Sequence, residues 1–129
     1  MELPVVNHPD YVAKINDDNK FPIKKFGALA DYLLKEGVVK KFYIPKECSI
    51  KTMQTSHSLK YINHIRNKSL DIKLQKKIGF PINDSVARRS FVATGGTVLA
   101  SKLALDYKLA CNTAGGSHHA TFDCGAGYC

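Results

Sequence analysis

Leu109-Ala110-Cys111-Asn112-Thr113-Ala114, followed by Gly115-Gly116-Ser117-His118-His119-Ala120, is a short apolar run that breaks at paired glycines and carries two adjacent histidines into a second glycine-rich stretch. A short apolar run bounded by turn residues fits a buried strand of a parallel sheet. Ligands of open parallel sheets collect beyond the carboxyl ends of the strands, so residues 115–119 stand where a site is expected. Glycine lets the backbone turn sharply and approach a ligand, and imidazole is the side chain whose ordinary pKa lies nearest neutrality. The segment reads as an active-site loop, with Cys129 ten residues beyond His119.

Outward from this strand, strand and helix signals alternate without repeat or low-complexity linker, which predicts an α/β fold. Leu3 to Val6 reads as a strand stopped by Asn7-His8-Pro9-Asp10, and Val38 to Ile44 as a second, closed by Pro45. Between them, Phe26 to Lys35 spaces Phe26, Leu29, Leu33 and Leu34 as one helical face, with Gly37 suited to its carboxyl cap. Ser58 to Ile65 places Leu59, Ile62 and Ile65 on one face of a short helix. The longest helical pattern is capped by Asn83-Asp84 and runs to about Tyr107, with Val92, Gly96, Leu99 and Leu103 in step. Gly95-Gly96 inside it costs roughly 1 kcal/mol per glycine relative to alanine, so the pair predicts a close crossing by another backbone.

At 129 residues and 44% hydrophobic, the chain has the size of one ordinary domain. No apolar stretch approaches the roughly 20 residues that span a bilayer, and Met1-Glu2-Leu3-Pro4 lacks the layout of a secretory signal, so no membrane association and a cytoplasmic location are expected. Cys48, Cys111, Cys124 and Cys129 are then expected as reduced thiols. The net charge of +8 is concentrated early: residues 1–77 hold 15 Lys and Arg against 8 Asp and Glu, a net +7. It is mostly scattered lysine, including Lys20, Lys24, Lys25, Lys40, Lys41, Lys73, Lys76 and Lys77, without an arginine stripe or interleaved aromatics. That pattern is a solvated surface and not a specific nucleic-acid site.

Several segments in order carry a family resemblance. They are Val5-Val6-Asn7-His8-Pro9-Asp10-Tyr11, Phe21-Pro22-Ile23-Lys24-Lys25-Phe26, His57-Ser58-Leu59-Lys60-Tyr61, Ile78-Gly79-Phe80-Pro81, Arg88-Arg89, Gly95-Gly96-Thr97, Ala114 to Ala120, and Gly125-Ala126-Gly127-Tyr128-Cys129. Together they resemble the amino-terminal part of a histone deacetylase-like protein, nearest the class IV branch, of the arginase/deacetylase superfamily. The resemblance implies a mostly parallel sheet of about eight strands between helices, of which residues 1–129 would form a partial domain with about three strands.

It also implies zinc-dependent hydrolysis of an acetyl-lysine or other acyl-amide, in which a metal-bound water attacks the carbonyl and paired histidines manage its protons. By position, His119 matches the general base and His118 its partner. Gly127 and Tyr128 match the glycine-aromatic pair lining the acyl-lysine tunnel, with tyrosine in place of the more usual phenylalanine. A substrate-gripping aspartate is common in the family near the position of Gly79-Phe80, but Pro81-Ile82 follow here. His57 is read as loop packing, His64 as helix surface, and His8 receives no role.

The family's zinc ligands, an Asp-x-His after the Gly-aromatic-Cys segment and a later aspartate, have no counterpart in residues 1–129, nor has its transition-state tyrosine. No resident metal ligand is therefore assigned, zinc belongs to the full-length family, and this chain is expected to bind none tightly and to be inactive alone. It would be the remnant of a disrupted gene or half of a split enzyme whose complementing carboxy-terminal chain carries the ligands. Its last strand would present an open edge, so poor solubility or molten behaviour is expected for residues 1–129 alone. An alternative of another class is a non-enzymatic metal-binding or interaction module built from Cys111, His118, His119, Cys124 and Cys129, since thiolates and imidazoles can close a tetrahedral zinc site.

Overall fold

The computed structural model describes residues 3–129. Its elements run β1 (Val5–Val6), a 3-10 turn (Pro9–Tyr11), α1 (Lys25–Lys35), α2 (Ile50–Met53), α3 (Leu59–Arg66), α4 (Ile72–Ile78), α5 (Asp84–Tyr107) and β2 (Cys111–Asn112). The architecture is mixed: mostly helix, with a small parallel sheet pairing Val5 with Cys111 and Val6 with Asn112.

All three expected strand segments meet, but each is shorter than expected. β1 lies in the middle. Its Pro4 and Val6 carbonyls accept from Cys111 and Thr113 on one side, while its Val5 carbonyl and Asn7 N–H pair with Tyr43 on the other. The segment 38–44 contributes only this bridge, because Val38 and Val39 both donate back to the Leu33 carbonyl and so terminate α1 instead of joining the ladder. Leu109–Ala114 is not a buried strand: Leu109 is 60% exposed and only Ala114 is buried, since β2 has no neighbour among the described residues on its outer side.

α5 begins at the expected cap, where Asn83 accepts from the Val86 N–H. Gly95 and Gly96 explain themselves in contacts. A side chain at Gly95 would strike the Lys46 carbonyl oxygen, and one at Gly96 would strike the Tyr11 hydroxyl, with Asn112 Nδ2 2.9 Å away. The expected close crossing is thus present, and at it the fully buried Tyr11 donates to Asn112 Oδ1 at 2.9 Å. The adjacent arginines clamp the amino-terminal turn to the helix. Arg88 bridges Asp10 and Glu47, and Arg89 Nε donates to the Tyr11 carbonyl while its guanidinium covers Phe26 at 4.9 Å.

The core gathers Phe26, Met53, Ile62, Ile65, Ile78, Phe80, Val86, Phe91 and Val92 between α5 and the shorter helices. On α1, Phe26 and Ala30 are buried, but Leu29 and Leu34 are 42% and 45% exposed, so the expected four-residue face is narrower than its spacing suggested. No helix among the described residues is long and apolar enough to cross a membrane.

Candidate active site

His118 and His119 lie on the loop beyond β2, both exposed, with their rings stacked at 4.3 Å and 28°. The chain then turns back: Thr121 N–H donates to the Cys124 carbonyl, and Cys129 N–H to the Ala126 carbonyl. This return brings Gly127 against the His119 ring, where a β-carbon on Gly127 would sit 3.3 Å from Cγ and 3.4 Å from Nδ1. Gly127 holds a φ of +54°, a conformation glycine adopts without strain. The histidine pair and the glycine-aromatic pair, separated in sequence, are therefore one constellation.

α4 fixes the second pair. Gly127 N–H donates to the Lys77 carbonyl and Tyr128 N–H to the Ile78 carbonyl at 2.6 Å, so the last turn of α4 acts as a rail for residues 127–128. The Tyr128 ring lies 5.0 Å from Phe21 and 5.4 Å from Phe80, while Phe21 meets Phe80 edge-on at 5.1 Å. Gly79, at a φ of +94°, gives Tyr128 its place, because a β-carbon there would fall 2.7 Å from Cε1. Asn19 completes the seam by donating to the Gly79 carbonyl and accepting from the Phe21 N–H. Phe21 and the α4 carbonyls were not singled out from sequence; the signal was Phe21 standing at the head of the Phe21-Pro22-Ile23 segment.

On the other side of the loop, His57 Nδ1 is 2.9 Å from the Thr121 carbonyl, and Ser58 N–H donates to the Phe122 carbonyl. His57 thus packs the loop, as expected. His64 reaches Ser69 Oγ across the end of α3 and stays away from the site. Tyr61 lies beneath residues 124–129, and burial, reinforced by the nearby Cys124 and Cys129 thiols, pushes its phenol up to about 12. Tyr128, Cys129, Tyr61 and Ala120 roof an apolar cleft of about 430 Å³ between α3 and α5.

The five Cys and His residues of the module alternative do not converge. Cys111 is exposed in β2, Cys124 Sγ lies against Lys77 Nζ and Thr121, and Cys129 Sγ faces the Ser117 carbonyl. Among the described residues no three His, Cys, Asp or Glu side chains form a metal-holding group. His8-Pro9-Asp10, a His-x-Asp triplet, is occupied with itself: His8 Nδ1 accepts the Asp10 N–H, and the Asp10 carboxylate is held by Arg88. Among the described residues the donors therefore form no set that fits a zinc ion.

A helix-rich α/β scaffold that sets paired histidines over a glycine-aromatic rail defines the class. The chain belongs to the histone deacetylase family, whose domain matches residues 20–129. Along its whole length it is 40% identical, over 131 aligned positions, to an uncharacterised protein of Picosynechococcus sp., of which the match covers 44%. It is also 28% identical over 125 residues to histone deacetylase 2 of Arabidopsis thaliana, covering 84% of this chain and 30% of that protein. The chain spans less than half the length of these curated relatives.

Proposed function

We propose that this chain supplies the histidine loop and the substrate-lining face of a lysine deacylase of the zinc-dependent hydrolase type, and that it is inactive by itself. The observation that carries this reading is the contact of the His119 ring with Gly127 beside the Tyr128, Phe21 and Phe80 rings. An apolar wall next to an imidazole suits an acyl-lysine: the wall takes the methylene stem, and the imidazole manages protons at the amide.

In this reading His119 accepts a proton from the attacking water and returns it to the departing amine. His118, stacked on it, orients the ring and shares the charge that develops. Lewis-acid polarisation of the carbonyl is the chemistry that a zinc ion would supply to the whole enzyme. The described residues provide no ligand set for it, so a complementing segment would carry those donors.

The test is acetate release from an Nε-acetyl-lysine peptide, with zinc present. Residues 1–129 alone are expected to give no turnover. The gene product at the length its source makes, or the chain with its complementing partner, is expected to turn over and to lose at least about a hundredfold in kcat on His119→Ala. A folded, zinc-loaded product that is inert, or one indifferent to His119→Ala, would overturn the reading.

A further inference from the structure

We propose that the mouth of this site carries a cationic collar, formed by Lys25 and Lys77, that selects acyl-lysines flanked by acidic residues. The inference rests on the deacylase reading above and deepens it by naming the substrate class.

The two lysines stand on different helices, Lys25 on α1 and Lys77 on α4. Lys25, at the start of α1, places Nζ 5.1 Å from the centre of the Phe21 ring and 5.2 Å from that of Phe26, and Phe21 is itself packed on Tyr128. Lys77, on the last turn of α4, carries Gly127 on its carbonyl and turns Nζ toward the histidine loop, 3.6 Å from Cys124 Sγ. Both side chains belong to exposed residues, and neither forms an ion pair among the described residues. Lys20 and Lys76 stand beside them in sequence, on the loop leading to Phe21 and on α4.

The opposing charges are few. Asp17 is tied to Lys24 at 3.0 Å, and the other carboxylates on the loop before Phe21 and on the loop after β2 are Asp18 and Asp123. Phe80, which packs on Tyr128, is followed by the uncharged Pro81 and Ile82. The segments around the aromatic wall thus carry more ammonium groups than carboxylates, a balance that favours an anionic flank. Exposed charges of this kind contribute modestly to affinity but discriminate between partners and are weakened by salt.

The experiment measures binding, at low and at high ionic strength, of fluorescent Nε-acetyl-lysine peptides with glutamate, neutral or lysine flanks to the protein at the length its source makes. An unacetylated glutamate-flanked peptide is run alongside. Glutamate flanks are expected to tighten binding roughly fivefold over lysine flanks at low salt, with the advantage shrinking as salt rises. K25Q/K77Q is expected to bring that ratio close to one, and K102Q, on the far part of α5, to leave it intact. Equal binding of the two flanks, or an unacetylated acidic peptide that binds as tightly as the acetylated one, would overturn the collar. Absence of binding by the neutral-flanked acetyl peptide counts instead against the deacylase reading. Because the ratio is taken within one protein sample, a loss of fold in the double variant, checked by circular dichroism, leaves the wild-type flank comparison to decide.

Discussion

Glycines divide this molecule into positions that cannot change and positions that can. Gly79 combines a φ of +94° with a β-carbon position 2.7 Å and 2.9 Å from two atoms of the Tyr128 ring. Alanine there must both enter the left-handed region and displace the aromatic that lines the site, so Gly79→Ala is expected to cost about 2–4 kcal/mol. Gly116, in the loop before the histidines, meets nothing within 4 Å and has an ordinary φ. Gly116→Ala is expected to change stability by less than about 1 kcal/mol, in the favourable direction if any, because it restricts the unfolded chain. Urea denaturation of the pair checks this, and equal losses would mean that Tyr128 is not seated on Gly79 as described. Both residues are simply glycines in the sequence. What distinguishes them is a neighbour 49 residues away for one and open space for the other.

Elements were legible where the chain signals its own ends. Asn83, Ser58 and Gly37 mark α5, α3 and the close of α1, and all three stand at or beside those boundaries in the structure. α4 carried the same signals, with Asp71 accepting from the Lys73 N–H and Gly79 left-handed at the other end, yet it was not recognised. Its seven residues, Ile72-Lys-Leu-Gln-Lys-Lys-Ile, bury only Ile78 and so show too little apolar periodicity to read. That miss hid the rail on which Gly127 and Tyr128 rest, and with it the reason His119 meets Gly127. The strands failed for the opposite reason: their apolar runs were visible, but ladder length depends on which neighbours are present, and that is not a local property. Capping energy makes the helix side of this argument measurable. Asn83→Ala removes the acceptor for the Val86 N–H at the start of the 24-residue α5. It also removes the amide that donates to the Lys14 carbonyl. A loss of about 1–2 kcal/mol in chemical denaturation is expected, against a few tenths for Ser101→Ala on the exposed face of the same helix.

At the scale of the whole molecule, one tyrosine secures each end. Tyr11 joins the amino-terminal turn, β2 and the glycine pair of α5, and Tyr61 lies under the returning loop of residues 124–129. These junctions matter because apolar surface stays uncovered elsewhere: Leu105 and Leu109, on either side of the α5–β2 turn, are 80% and 60% exposed, and β2 has no outer neighbour among the described residues. Burial is the main cause that pushes both phenols from 10.0 to about 12, against the opposing pull of Asn112 and Arg89 on Tyr11. Each phenol therefore holds its proton more tightly folded than unfolded. The stability this contributes is complete below about pH 10 and is lost as the pH climbs from there toward 12. A thermal midpoint that declines steeply across that window is expected, together with late ionisation of the Tyr11 and Tyr61 phenols in an absorbance titration. Tyr61→Phe keeps the buried ring and removes the ionisable group, so it is expected to flatten the alkaline decline and to remove one late-ionising phenol from the titration. An unchanged decline in that variant would mean that the loop carrying His118 and His119 does not close over Tyr61 in solution, and the contact between His119 and Gly127 would lose its support.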